Sequence, residues 1–261
     1  MNLLLTMPHG WRLGIRARPK LKTKTIPSPV VLTGLAVLAS LCATCSAAAE
    51  EEGVALAIIY DTSGSMRETV RDAGGKAAPK YVIANRALVA IANQLQSFAT
   101  NTASGAPRKI EAGLFVFSGN GAREALKFGP FDGAALQQWA RDFSSPSGNT
   151  PLGNSLEVAS RPVLNSPLSR KHVLVITDGM NNAGPQPVTV MSRLKLQADQ
   201  KQTSLSLHFV AFDVDAKIFD PVKKLGATVV SAADEKQLNT QLQFIMQRKI
   251  LLEEEEPPRK K

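Results

Sequence analysis

Four apolar runs of strand length recur along the chain, separated by segments in which apolar residues return every third or fourth position. Val54 to Tyr60 (VALAIIY) is the first, free of charge throughout, with the composition of a strand buried on both faces of a helix-covered parallel sheet. Lys109 to Ser118 (KIEAGLFVFS), His172 to Thr177 (HVLVIT) and Ser204 to Asp213 (SLSLHFVAFD) are the others. Between the first two, Val82, Ile83, Ala87, Leu88, Ile91, Ala92, Leu95 and Phe98 trace one face of a helix over Lys80 to Ala99, which Asn101 to Arg108 (NTASGAPR) ends.

Shorter signals fill the remainder. Arg67 to Lys80 is polar and Gly-rich and reads as a surface excursion. Gly119 to Gly121 reads as a hairpin turn leading into a short antiparallel edge strand, Arg123 to Phe128. Asp132 caps a helix from Gly133 to Phe143, the turn Ser144 to Thr150 follows, and Pro151 opens a helix to Ala159. Helices over Pro187 to Gln200 and Asp234 to Leu251 flank a segment Ile218 to Leu225 and a short strand Ala227 to Ser231. Strand and helix alternate throughout, which predicts an α/β fold: a doubly wound, mainly parallel central sheet with one antiparallel edge strand and helices on both faces.

Polar residues follow the first strand at once. Asp61, Ser63 and Ser65 occupy alternate positions of DTSGSM, at the carboxyl end of a central strand, where open α/β sheets place their ligands. One carboxylate and two hydroxyls on a short Gly-containing loop are hard oxygen donors, suited to Mg²⁺, Mn²⁺ or Ca²⁺ rather than Zn²⁺ or copper. Thr150 stands in GNTPLGNSL and Asp178 ends the third strand in HVLVITDGMNN. Read singly, the serines and Asp178 also fit turn-stabilising roles, and Thr150 fits a helix cap.

A strand ending in DxSxS, a loop carrying Thr-Pro and a strand ending in Thr-Asp-Gly, in that order, resemble the von Willebrand factor A domain with its metal-ion-dependent adhesion site. The resemblance covers about residues 53–247. It implies a Rossmann-like fold and a Mg²⁺ or similar ion held by Ser63, Ser65 and Thr150, with Asp61 and Asp178 bound directly or through water. It also implies a protein partner whose Asp or Glu completes the coordination. The small donor set favours Mg²⁺ over Ca²⁺, which takes six to eight oxygens.

Charge changes the picture only at the ends. The 261 residues are 44% apolar and 20% charged, with a net charge of +9. Six Lys or Arg (Arg12, Arg16, Arg18, Lys20, Lys22, Lys24) and no acid fall within residues 1–29, leaving +3 for the rest, so the basic excess does not point to nucleic acid. That basic stretch, an apolar segment from Val30 to about Ala43 and the small residues Ser46 to Ala49 make a secretory signal over residues 1–49, preceding a domain over 50–252. An uncleaved signal would instead anchor the chain in the inner membrane, although its apolar segment is short of the roughly 20 residues of a spanning helix. Cys42 and Cys45 both lie in this leader, so a cleaved chain has no thiol chemistry and no stable membrane span, as befits a periplasmic or cell-surface protein. Residues 253–261 (EEEEPPRKK) read as a solvated, disordered tail.

Enzymatic alternatives lack their signatures. An aspartyl phosphatase wants an acid where Ser63 stands, Gly74-Gly75-Lys76 is followed by Ala77 rather than Ser or Thr, and there is no GxSxG. The expectation is an exported, non-enzymatic binding module, with a scaffold subunit or a transporter accessory as the alternatives.

Overall fold

The computed structural model describes residues 50–101 and 108–252, which fall within one compact unit, Ala47–Lys261. The expected signal (1–49), the expected tail (253–261) and most of the NTASGAPR break lie outside the described residues. Among the described residues, six strands form one sheet in the order β5-β4-β1-β6-β7-β8. These are β1 (Glu51–Tyr60), β4 (Ile110–Ser118), β5 (Gly121–Pro130), β6 (Leu168–Thr177), β7 (Ser206–Phe212) and β8 (Thr228–Ala232). All neighbours are parallel except β4 and β5, so the doubly wound sheet with one antiparallel edge is as expected.

The two faces of β1 divide the core. Val54, Leu56, Ile58 and Tyr60 pack under α1 (Lys80–Thr100), α2 (Gly133–Asp142) and α6 (Glu235–Ile245). Ala55, Ala57 and Ile59 pack under α3 (Leu152–Asn165), α4 (Pro187–Gln200) and the short α5 (Asp220–Lys224). Burial on both sides is the reason β1 carries no polar alternation. The chain leaves β1 for one face and β6 for the other, so the topological switch point lies between these adjacent strands, a ligand position of such sheets.

Several boundaries differ from the expectation. The excursion Arg67 to Lys80 is a hairpin of β2 (Thr69–Arg71) and β3 (Ala77–Pro79), and it ends not at the surface but in a Lys80 that is 2% exposed. Ala73 N–H donates to Glu235 Oε2 at 2.7 Å, and Arg86 grips both oxygens of Glu235, which docks the hairpin on α1 and α6. Pro151 stands just before α3, and the helix runs past Ala159 to Asn165 through Pro162. Val163 and Leu164, buried beyond that proline, offset the backbone bond it removes. The last helix widens into a π-helical turn at Met246–Leu251, which buries Met246, Ile250 and Leu251 together. Asp132 caps α2 as expected, accepting from Ala135 N–H.

His172 and His208 lie side by side in the core on β6 and β7, with Nδ1 and Nε2 3.3 Å apart. Trp139 and Phe143 stack on each other and meet Tyr60 edge-on, an aromatic cluster at the end of β1.

Candidate metal centre

Register delivers Asp61 and its first partner. Tyr60 pairs with Ile176, so the residues that follow, Asp61 and Thr177, stand side by side at the switch point, with Asp178 next after Thr177. Asp61 N–H continues the ladder to Ile176 C=O at 3.0 Å. The Asp61 side chain is fully buried: Oδ1 accepts from Ser63 N–H at 2.7 Å and Oδ2 from the Thr177 hydroxyl at 2.5 Å. The first bond curls the loop, and a short 3₁₀ turn at Gly64–Arg67 then carries Ser65 over the strand end.

The loop turns its hydroxyls to the neighbouring acid. Ser63 Oγ and Ser65 Oγ are 3.0 Å apart, and Ser65 Oγ donates to Asp178 Oδ1 at 2.8 Å. Thr150 arrives from the 144–150 segment, pinned by Ser147 N–H to Thr62 C=O at 2.7 Å and Gly64 N–H to Gly148 C=O at 3.2 Å. A Cβ placed on Gly179 would meet Thr150 Oγ1 at 3.4 Å and Ser65 Oγ at 4.0 Å, so the absence of a side chain there leaves an oxygen-lined cradle. Thr150 makes no helix-capping bond, since the residue before α3 is Pro151 and no side chain caps it. Asp61, Ser63, Ser65, Thr150 and Asp178 are thus brought to one strand-end cluster. Two carboxylates and three hydroxyls fit a hard divalent ion. Among the described residues no group of three or more His, Cys, Asp or Glu is poised for a metal.

The electrostatics agree with that donor set. Burial, and then the nearby charge of Asp178, push the Asp61 carboxyl up to about 6 against the bonds from Ser63 and Thr177. Such a carboxylate gains from a positive neighbour.

Other residues of the site escaped the sequence. Asn182 Oδ1 accepts from Thr150 N–H at 2.7 Å, and Asn182 N–H returns a bond to Thr150 C=O at 3.1 Å. Asn181 Oδ1 accepts from Gly153 N–H at 3.1 Å, so the loop after β6 clamps the start of α3. Thr177, Asn181 and Asn182 stood beside Asp178 in the sequence, but nothing in their spacing says which backbone they meet. Lys80 is the least expected: its ammonium bonds Glu68, Asp178 and Asp213 at 2.8, 3.1 and 3.0 Å. Burial alone would pull that ammonium down, but Glu68, Asp213 and Asp178 outweigh it and hold it above its ordinary value. Asp213 reaches the site in this way, through Lys80.

The sequence profile of the von Willebrand factor type A domain matches residues 55–247. The chain belongs to that family. The A-domain fold also superposes on the PilB minor pilin from Streptococcus sanguinis, with a TM-score of 0.54 and 14% identity over 75% of this chain and 61% of that one. Proximal thread matrix protein 1 from the mussel byssus, solved with a zinc-occupied MIDAS motif, superposes with a TM-score of 0.53 and 18% identity over 76% of this chain and 48% of that one. The chain therefore spans about half to three-fifths of these structures. No curated protein matches it.

Proposed function

We propose that this A domain is an exported, metal-dependent protein-binding module. Asp61, Ser63, Ser65, Thr150 and Asp178 would hold a divalent cation, Mg²⁺ first and Mn²⁺ or Ca²⁺ next, for a partner protein that presents an Asp or Glu. The observation that carries this reading is the convergence of two strand-end carboxylates and three hydroxyls beside a side-chain-free Gly179. Bound there, the ion supplies a positive centre that accepts a carboxylate oxygen from outside. The protein's own residues keep that centre shaped: Thr177 and Ser63 N–H hold Asp61, and the Asn182 pair of bonds holds Thr150. Met180, 64% exposed just past Gly179, offers a partner an apolar contact at the rim.

Neither His172 nor His208 serves the two serines as a base, because the two rings pair with each other inside the core. Export of the chain to the periplasm or cell surface rests on the leader of residues 1–49. No described helix is long and apolar enough to cross a membrane. The zinc seen in the mussel protein adds Zn²⁺ to the ions worth testing.

One observation favours a second reading, a metal-independent scaffold: Ser65 and Lys80 already bond both oxygens of Asp178. Isothermal titration of the full-length protein with Mg²⁺, Mn²⁺ and Ca²⁺, beside Asp61→Ala, separates the two. The module reading expects binding near one ion per chain that the substitution abolishes; the same titration curve in both proteins would discard it. Capture of partners from an envelope extract is then expected to be lost in EDTA, whereas a scaffold would keep them.

A further inference from the structure

Lys80 is the first residue of α1, directly after the hairpin, and its side chain is 3% exposed. An ammonium has three N–H donors. Here each has its own carboxylate: Glu68 Oε2 at 2.8 Å, Asp213 Oδ2 at 3.0 Å and Asp178 Oδ2 at 3.1 Å. The three acceptors are not equivalent. The Asp178 side chain is 0% exposed, whereas those of Glu68 and Asp213 are 68% and 40% exposed. The backbone of Asp213 takes φ +55°, a conformation unusual for a residue with a Cβ, and from it the carboxylate reaches back to Lys80.

We infer that Lys80 is a built-in counter-charge that sets the affinity of the candidate site for its divalent ion, holding that affinity down. The inference rests on the metal-dependent reading above. Its first ground is charge. Asp61 and Asp178 supply the negative charge that would draw a divalent ion in. The buried positive charge of Lys80, 3.1 Å from Asp178, offsets part of that negative charge. Its second ground is geometry. Lys80 takes Asp178 Oδ2 while Ser65 takes Oδ1, so an incoming ion competes with a cation already bonded to the same carboxylate. The rim acids Glu68 and Asp213 draw part of the Lys80 charge away from Asp178 and so oppose its effect.

The two substitution types therefore move ion affinity in opposite directions. Lys80→Met removes the competing charge, and the Kd for Mn²⁺ is expected to fall about tenfold or more at low ionic strength. The double substitution Glu68→Gln with Asp213→Asn keeps Lys80 and leaves its charge to Asp178, and the Kd is expected to rise several-fold. The measurement is free Mn²⁺ by electron paramagnetic resonance on the full-length protein, with the Mn²⁺-induced rise in Tm as a second readout. If Lys80 only props Asp178 in place, Lys80→Met would weaken or abolish binding, and that result overturns the inference while leaving the site itself standing. Should Lys80→Met fold poorly, the double substitution decides: both its positions are at the rim, and an unchanged or tighter Mn²⁺ affinity overturns the inference. Absence of Mn²⁺ binding in the wild type and in every variant overturns the metal-dependent reading and this one with it.

Discussion

The Thr177 hydroxyl and the Ser63 N–H are the two donors that make a fully buried Asp61 tolerable at the end of β1. A buried carboxylate oxygen that loses its donor bears its desolvation cost unrelieved. Thr177→Val keeps the shape of the side chain and removes the donor, so unfolding free energy at pH 7 is expected to drop by about 1–3 kcal/mol. A urea midpoint equal to that of the wild type would show the bond to be idle. Thr177 sits in the sequence as one more β-branched strand residue, and only the parallel register, which sets it beside Asp61, gives its hydroxyl a role.

At the scale of elements, the site depends on how closely α3 approaches the loop after β6. Gly153 permits that approach: a Cβ there would lie 1.9 Å from Pro185 O, a backbone atom that cannot swing aside. Gly153→Ala must push the start of α3 from the 181–186 segment, straining the Asn181 bond to Gly153 N–H and the Asn182 bonds to Thr150. Overpacking of this kind costs about 1–3 kcal/mol. Thermal unfolding is expected to move down accordingly, with weaker Mn²⁺ binding through the displaced Thr150; a Tm within a degree of wild type, about the error of such a scan, would mean that the loop yields freely. Boundaries followed the same logic of burial over local signal. Pro162 reads as a helix stop, yet Val163 and Leu164 carry α3 past it because the sheet covers them.

Across the whole molecule, the far end of the sheet carries its own titratable pair. His172 and His208 are 1% and 2% exposed. Burial, and then the charge of Lys249, push His208 down to about 4. Burial, and then His208 and Arg170, hold His172 well below the usual value. An unfolded chain protonates these rings near pH 6.5, while the folded one resists, so stability is complete above that pH and falls as pH drops toward 4. For His208 alone the loss between pH 7 and pH 4 is about 3 kcal/mol. Urea unfolding at the two pH values is expected to show a wild-type loss larger than that of His208→Leu by about this amount, and equal losses would remove the pair from the acid response.

The strands, most helices and the oxygens of the DxSxS loop were legible because each leaves a local trace, whereas Thr150 and Asp178 joined them through the resemblance to the A domain. An uncharged apolar run marks a strand covered on both faces, a three-and-four spacing marks a helix face, and Asp61, Ser63 and Ser65 alternate within a single loop. The hairpin of β2 and β3 left little trace, since its strands are three residues long and owe their place to the Glu235 and Arg86 contacts. Lys80 was legible only as the polar start of a helix. Its burial among Glu68, Asp178 and Asp213 joins residues up to 145 positions apart, on four separate segments. Local sequence thus determined which elements form and which oxygens lie at strand ends, because those depend on near neighbours. Only the tertiary structure decided which charge stands beside them, because that depends on how the segments pack.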